Sequence, residues 1–168
     1  MAPLPPPGWV SVAAPPGDLW LAGGDAGLAA VCFGGPSLAF ARALGPGSEA
    51  AGAHAERARR QLEEYFDGRR RRFDLDLDWS LTRSPFRRAV LEALAEVPFG
   101  VTVSYGELAR RVGNPGAVRA VGTAMATNPL PLVVPCHRVL RAGGALGGYA
   151  GGLDLKRWLL AHEGASLL

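Results

Sequence analysis

The 168-residue chain has only two cysteines, Cys32 and Cys136, and this scarcity excludes a disulfide-stapled fold and a cysteine-based zinc site. It also lacks an apolar run long enough to span a membrane. Its proline-rich start has neither the basic nor the apolar region of a signal peptide. Charged residues are 20% and hydrophobic residues 48% of the chain, which excludes a disordered protein. We therefore expect a cytoplasmic globular protein with no membrane partner, folded as one large or two small domains.

Acidic residues are scarce in the second half of the chain. Residues 1–84 carry 9 basic and 10 acidic side chains, whereas residues 85–168 carry 9 basic and 5 acidic ones. Between Leu108 and Leu153 there are five arginines and no acidic residue. Such a segment favours a polyanionic partner, most commonly nucleic acid. Because arginine greatly outnumbers lysine throughout, a solvated arginine-rich face that reflects a G+C-rich genome is the alternative.

The first half has the pattern of a small α/β domain. Three short apolar runs bounded by glycine and proline predict strands. These runs are residues 8–14, 18–22 and 27–35. A helix with Ser48 as its N-cap is predicted over residues 48–68. Apolar and polar residues then alternate over residues 73–79, which predicts a half-buried strand.

From Ser84 onward, helical spacing replaces the strand pattern. Ser84 and Pro85 form an N-cap with proline at the first helical position, and an apolar stripe at helical spacing extends to Val97. The sequence SYGE is a capping box that begins a short helix after Ser104. GNPG separates this helix from another over residues 117–127. Two helices joined by a short glycine-containing turn predict a helix-turn-helix.

The second helix of this pair has two distinct faces. Val118, Val121 and Met125 share one face and are expected to pack inward. Small residues allow a helix to approach DNA closely, and a cation beside them can enter a groove. The other face therefore favours DNA over close packing against a protein neighbour. That face consists of Arg119, Gly122, Thr123 and Ala126.

Cys136 follows an apolar run, residues 130–135, that is predicted to be a short buried strand. A cysteine is nucleophilic only as its thiolate, which needs a nearby base or cation. His137 is the local candidate. Neighbouring side chains in an extended chain point to opposite sides, so a bridging water is the easier geometry. The alternative is a core cysteine followed by a surface pair, His137 and Arg138. Cys32, in an apolar run, is expected to be a core cysteine.

A third group must orient the imidazole if Cys136 and His137 act together. The final helix is predicted to begin at the cap Asp154, and Glu163 lies in its last turn, where a helix dipole favours cations. A carboxylate at so unfavourable a position indicates another task. Because Glu107 and Asp154 already have capping roles, Glu163 is the predicted partner of His137.

The segment from Ser84 to Gly164 resembles the C-terminal domain of the O6-alkylguanine-DNA alkyltransferases, also called methylated-DNA–protein-cysteine methyltransferases. The resemblance rests on PCHRV, preceded by RAVGTAMATNP and followed by YAGG and AHEG. It implies a variable α/β domain, a small sheet plus helix, over residues 1–80. A mainly α domain with a helix-turn-helix, winged-helix-like, is implied over residues 84–168. The N-terminal half carries no motif and is assigned by association.

The resemblance implies direct repair of O6-alkylguanine, and of O4-alkylthymine, in double-stranded DNA by a monomer that needs no metal or other cofactor. Cys136 accepts the alkyl group irreversibly, in a single turnover. His137, through a water and supported by Glu163, handles the proton of the thiol. Tyr105 donates toward N3 of the guanine, and Asn128 ties the helix-turn-helix to the active-site strand.

The resemblance also implies the contacts to the DNA and the base. Arg119 enters the duplex and fills the space of the extruded nucleotide. Backbone groups of Cys136 and Val139 read the exocyclic amine, the amide of Ala150 faces O6, and Tyr149 is a further substrate-binding residue. Position 150 is alanine where several family members carry serine, so a side-chain contact to the base is lost. The face pressed into the minor groove is that of Gly122, Thr123 and Ala126.

Two other functions stay open. One is a lesion-binding protein that recognises the altered base without repairing it. Relatives of that kind replace the cysteine, so Cys136 favours transfer. The other is a Cys-His hydrolase unrelated to DNA, which would have no use for Arg119 or for the acid-free arginine segment.

Overall fold

A computed structural model describes residues 8–15 and 17–165, which form two compact units, one ending at Leu81 and the other beginning at Thr82. In the first unit, an antiparallel sheet has its three strands in chain order. Its strands are β1 (Trp9–Val12), β2 (Leu19–Gly23) and β3 (Leu28–Phe33). The three strands predicted from the apolar runs are thus confirmed, and Cys32 is buried in β3 as expected.

Helix α1 (Leu38–Leu44) was not predicted, whereas α2 (Glu49–Phe66) was. The hydroxyl of Ser48 accepts a hydrogen bond from the backbone N–H of Ala51, which confirms the predicted cap. Helix α2 packs on the sheet through small residues, so its backbone comes very close to β2. A Cβ at Gly23 would lie 1.8 Å from the carbonyl oxygen of Ala51. Only glycine fits at this crossing.

The predicted strand over residues 73–79 is wrong. Its one ladder contact to the described residues is a parallel bridge between Leu28 and Leu77. The side chain of Gln61 on α2 takes the place of a neighbouring strand for Asp74, donating to its carbonyl at 2.9 Å and accepting from its N–H at 2.9 Å. Phe73, Leu75 and Leu77 are half-buried, whereas Asp74 and Asp76 are exposed. The pattern therefore predicted the more buried side chains correctly and the hydrogen-bond partner wrongly.

The second unit is mainly helical. Its elements are α3 (Pro85–Ala95), β4 (Val103–Ser104), α4 (Tyr105–Arg111), α5 (Val118–Ala126), β5 (Val139–Leu140) and α6 (Leu153–His162). The hydroxyls of Ser84 and Ser104 cap α3 and α4 as predicted. Strands β4 and β5 pair in parallel. Helices α4 and α5 form the predicted helix-turn-helix. No helix in the described ranges is long and apolar enough to cross a membrane.

Three local predictions for this unit are wrong. Residues 130–135 are buried but form turns, and Leu132 has a φ of 75°, which breaks an extended chain. Val118, the first residue of α5, was predicted to pack inward but is 44% exposed, because the buried residues of α5 begin one turn later in the helix. Helix α6 begins before Asp154, which lies in its first turn and pairs with Arg157 instead of capping.

Candidate active site and DNA-binding surface

A mainly apolar cavity of about 390 Å³ opens beside Cys136. Its size is typical of a pocket for a small molecule or a single base. Two of its lining residues, Met125 and Gly148, were not among the predicted site residues. The lining consists of Tyr105, Gly122, Met125, Ala126, Cys136, Gly148, Tyr149 and Ala150.

Cys136 lies shortly before a strand, β5, and does not follow one. A short 3-10 helix (Cys136–Arg138) leads directly into β5, and the backbone N–H of Cys136 donates to the carbonyl of Val134 at 2.8 Å. Burial raises the pKa of the Cys136 thiol, while a hydrogen bond from Asn128 and the charge of Lys156 lower it. Because burial is the largest effect, the resting residue is a thiol whose proton must leave before it can attack.

His137 is completely buried and turned toward the final helix. Its Nε2 lies 2.8 Å from Oε2 of Glu163. Burial lowers the pKa of the imidazole, and Glu163 opposes this only in part, so the ring is neutral at rest. With Nε2–H donated to the carboxylate, Nδ1 is the basic nitrogen, and it has no hydrogen-bond partner among the described residues.

Glu163 is held by His137, by Arg138 and by the backbone N–H of Gly100, which donates to Oε1 at 3.4 Å. Arg138 donates to its carboxylate twice, from Nε at 2.8 Å and from Nη2 at 2.9 Å. Burial alone would raise the pKa of Glu163, but the hydrogen bonds from His137 and Arg138 outweigh burial and hold the pKa well below its usual range. Arg138 also donates to the carbonyl of Val97 at 2.7 Å and is itself buried. The surface-pair alternative for His137 and Arg138 is therefore wrong.

Asn128 joins the end of α5 to the chain that precedes Cys136. Its Nδ2 donates to the carbonyl of Val134 at 3.0 Å, and its Oδ1 accepts from the N–H of Leu130 at 2.9 Å. The segment it fixes is the buried turn described above, which no regular ladder holds in place. The amide of Asn128 thus links the end of α5 to the segment that precedes Cys136.

Sequence reasoning also missed Lys156. Its side chain is fully buried, and Nζ donates to the carbonyl of Val139 at 2.7 Å. Val139 is also buried and pairs with Val103 across the β4–β5 ladder. Since a carbonyl has two lone pairs, the oxygen of Val139 can still accept from a base.

The exposed face of α5 lies at the edge of the cavity. Arg119, in the first turn of the helix, is exposed, and no ion pair to it occurs in the described part of the chain. Thr123 is also exposed, and its hydroxyl donates a hydrogen bond to the carbonyl of Arg119 in the same helix at 3.3 Å. Gly122 and Ala126 belong both to this face and to the cavity wall. The surface that faces outward and the pocket are therefore continuous.

The acid-free segment is less basic at its surface than its composition predicts. Arg138 is buried against Glu163, and Arg111 pairs with Glu107 at 2.8 Å. Both acids lie outside the segment, so only its other three arginines are left to face a polyanion. Among residues 8–15 and 17–165 there is no group of three or more histidine, cysteine, aspartate or glutamate side chains that could hold a metal ion.

Comparisons with known proteins assign both units. Residues 85–165 match the family described as 6-O-methylguanine DNA methyltransferase, DNA binding domain. Residues 10–79 match 6-O-methylguanine DNA methyltransferase, ribonuclease-like domain. A methylated-DNA–protein-cysteine methyltransferase of Methanosarcina acetivorans is 51% identical over 108 residues, which are 64% of this chain and 68% of the relative. The protein of that name from Mycolicibacterium paratuberculosis is 54% identical over 103 residues, 61% of each chain.

Solved structures extend the likeness over nearly the whole chain. The crystal structure of Mycobacterium tuberculosis OGT in complex with DNA has a TM-score of 0.80 and 38% identity, and the match covers 93% of this chain and 92% of that one. Its likeness includes the N-terminal unit, which carries no motif of its own. Together, the two matched domains and these relatives show that the chain belongs to the 6-O-methylguanine DNA methyltransferase family.

Proposed function

We propose that the protein repairs O6-alkylguanine in duplex DNA by moving the alkyl group onto Cys136, once per molecule. The observation that carries this proposal is that Cys136 lines an apolar cavity and is followed in the chain by His137, which is buried with its Nε2 2.8 Å from Oε2 of Glu163. The name of these relatives, methylated-DNA–protein-cysteine methyltransferase, describes the same chemistry. O4-alkylthymine is proposed as a second substrate.

The proton of Cys136 leaves first. Nδ1 of the neutral His137 takes it through one water, and Glu163 stabilises the imidazolium that forms. The thiolate then attacks the alkyl carbon, so that a sulfur–carbon bond forms while the bond between carbon and O6 breaks. The guanine leaves with the electron pair and needs one proton to become neutral, which is the proton that the thiol lost. No group remains to remove the alkyl chain from sulfur, so the protein acts once.

Tyr105 stabilises the leaving base. Burial raises the pKa of its phenol, and the neighbouring Cys136 raises it further, so the hydroxyl keeps its proton at neutral pH. A hydrogen bond from Tyr105 to N3 of guanine strengthens as negative charge builds on the base, which lowers the barrier of the chemical step. Backbone groups of Val139 and Ala150, with the Tyr149 ring, are proposed to hold the base in the cavity.

The small face of α5 is proposed to deliver the base. A base stacked in duplex DNA cannot reach a buried thiol, so it must be flipped out, which costs a few kcal/mol. Gly122 and Ala126 line the cavity and the helix face alike, so a base extruded beside α5 enters directly. Arg119 is placed to fill the gap left in the duplex. We also propose that the protein is located in the cytoplasm, where it would meet its substrate in genomic DNA.

The function is tested by incubating the protein with a duplex that contains one O6-methylguanine. Intact-mass and peptide analysis should find one added methyl group per molecule, on Cys136, and a second portion of substrate should stay methylated. Restored guanine should appear in equal amount. A duplex that is bound tightly but left methylated would favour the lesion-binding alternative, and the absence of any binding would contradict both functions.

Replacing Arg119 with alanine should separate base delivery from chemistry. We expect transfer from duplex DNA to slow by roughly 10- to 100-fold, the equivalent of a flipping cost of a few kcal/mol. Reaction with the free base O6-methylguanine should be unchanged, because no duplex has to open. Rates are measured by quenched-flow with both substrates. Arg157→Ala, which removes an exposed arginine on α6, is the control and should alter neither rate. Equal losses of Arg119→Ala with both substrates would contradict the role in delivery.

A further inference from the structure

Three arginines of the acid-free segment make no ion pair within the described part of the chain: Arg110, Arg119 and Arg141. Arg119 already has a role in the proposed delivery of the base. Because an exposed ion pair adds little to stability, the lack of a partner alone assigns no role to the other two. The place of Arg141 relative to the cavity is what distinguishes it.

Arg141 begins the pocket loop, residues 141–152, which forms part of the cavity wall. Its backbone is fixed by a tight turn: its N–H donates to the carbonyl of Ala145 at 2.8 Å, and its carbonyl accepts from the N–H of Gly144 at 3.0 Å. The residue is nevertheless exposed. A solvated cation therefore projects from a fixed point of the backbone beside the cavity.

The stem of the Arg141 side chain lies near Tyr105, which lines the cavity. A Cβ on Gly147 would lie 3.1 Å from the hydroxyl oxygen of Tyr105 and 3.5 Å from Cγ of Arg141, so both side chains approach the same point of the pocket loop. Burial raises the pKa of the Tyr105 phenol, as does Cys136, and the charge of Arg141 opposes both. The positive charge of Arg141 is thus felt at the mouth of the cavity.

An extruded nucleotide brings negative charge to this mouth. The cavity has the size of a single base, so the sugar and the two flanking phosphates of the nucleotide stay outside it. Arginine suits such a group, because its planar fork donates two parallel hydrogen bonds to a phosphate. Phosphate contacts fix the register of a protein on DNA without reading its sequence. A contact at the mouth would fix the register of the flipped base.

We propose that Arg141 binds a phosphate that flanks the extruded nucleotide and thereby positions the base in the cavity. The inference rests on the proposed function, since a nucleotide extruded toward Cys136 is what brings its phosphates to this point. The role differs from that of Arg119, which is proposed to fill the gap inside the duplex. Arg119 would act on the opening of the base pair, and Arg141 on the backbone of the nucleotide once it is outside.

Replacing Arg141 tests the charge of this contact. Equilibrium binding to O6-methylguanine duplex is measured on a Cys136→Ala background, so that no transfer interferes, at salt concentrations of about 50 to 200 mM. Arg141→Ala should weaken binding by roughly 10-fold, the loss expected for a hydrogen bond to a charged group. The slope of log affinity against log salt should become shallower by about 0.9, the value for one phosphate. Arg141→Lys should keep the slope and lose part of the affinity, because it keeps the charge and loses the fork.

Neutralising single phosphates identifies the partner. Duplexes carry a methylphosphonate, which has no charge, on the 5′ side of the O6-methylguanine, on its 3′ side, or near the end of the duplex. At one of the two flanking positions, the methylphosphonate should weaken binding of the protein with Arg141 by roughly 10-fold and leave binding of Arg141→Ala unchanged. Near the end of the duplex it should affect both proteins equally. Additive losses at both flanking positions would overturn the proposal.

Transfer kinetics distinguish the phosphate contact from an action of the charge on Tyr105. With Cys136 present, Arg141→Ala should slow transfer from duplex at limiting protein concentration by the factor that binding loses, and leave reaction with the free base O6-methylguanine unchanged. The free base has no phosphate but still needs Tyr105. Equal losses with both substrates would assign Arg141 to the phenol and refute the phosphate contact.

The matched control is Arg157→Ala, which also removes one exposed positive charge. Arg157 lies on α6 and pairs with Asp154, so its loss should change neither the salt slope nor either rate. A control that lowered the slope as much as Arg141→Ala would reduce the effect to net charge and contradict the contact. If the parent protein bound the duplex but transferred no methyl group, the repair function would fail, whereas the binding measurements would still decide the role of Arg141.

Discussion

Cys136→Ala should abolish methyl transfer completely, with no methyl group on the protein after prolonged incubation with O6-methylguanine duplex. The reason is chemical: alanine has no nucleophile, and no other group in the cavity lining can replace a thiolate as an acceptor of an alkyl cation equivalent. Binding of the duplex should remain, because the α5 face and Arg119 are untouched. Transfer is followed by mass spectrometry and binding by fluorescence anisotropy.

The chain provides its own control in Cys32→Ala. Cys32 is the other cysteine, buried in β3, and burial raises the pKa of its thiol, which leaves it unreactive. This variant should still accept one methyl group per molecule at the parent rate. A methyl group found on Cys32, or transfer that survives in Cys136→Ala, would show that the acceptor has been assigned wrongly.

Glu163→Gln should slow transfer by about 100-fold or more, the range expected when general-base catalysis is impaired. The carboxylate accepts from His137 and twice from Arg138. An amide of the same shape has one accepting and one donating end, so at least one donor is left facing another donor. The imidazolium formed during transfer would also lose its counter-charge. Rates measured with the free base and with duplex DNA should fall together, since the loss lies in chemistry and not in delivery.

The same substitution should destabilise the fold. Without the carboxylate, the buried charge of Arg138 is uncompensated, a loss of about 3–5 kcal/mol. The folded pKa of Glu163 lies below its unfolded value of about 4.3, so its contribution is complete above that unfolded value and is lost as the pH falls toward the folded one. Urea unfolding should therefore show a large difference between the two proteins at neutral pH that shrinks in acid.

Glu92→Gln is the matched control for this prediction. Glu92 pairs with Arg88 one turn away on α3, and both side chains are about half exposed. Such a pair contributes less than about 1 kcal/mol, and its loss should change neither the transfer rate nor the acid dependence. A Glu163→Gln protein as stable and as active as the control would mean that the buried pair has no role in function.

Much of this site could be predicted from the sequence, because most of its reactive side chains belong to short local motifs. A carboxylate in the last helical turn conflicts with the helix dipole, and that conflict is enough to single out Glu163 as a residue with another task. The fold supplies the missing compensation, which is Arg138 on the far side of the carboxylate. Arg138 belongs to the PCHRV motif, but no local pattern in the sequence indicates that its side chain is buried.

The remaining errors have a common origin in contacts between residues distant in sequence. The side chain of Gln61 replaces a strand beside Asp74, so an alternating pattern formed no ladder. Asn128 and a left-handed Leu132 turn the run before Cys136, although its composition favours a strand. Lys156 does leave a signal in the sequence: one lysine among 18 basic residues is a compositional exception. The excess of arginine over lysine carries no structural information, so a position that departs from it indicates a local structural requirement for lysine.

The buried ion pair between Arg138 and Glu163 has a further consequence once Lys156 is counted with it. With His137 neutral, these three groups sum to one uncancelled positive charge in the interior. When the proton of Cys136 moves to His137, the new thiolate and imidazolium cancel and the sum stays at one. Once the alkyl group is on sulfur and the proton has left His137 with the guanine, the sum is again one. The interior therefore keeps one positive charge throughout the reaction, and that charge favours the thiolate at the moment of attack.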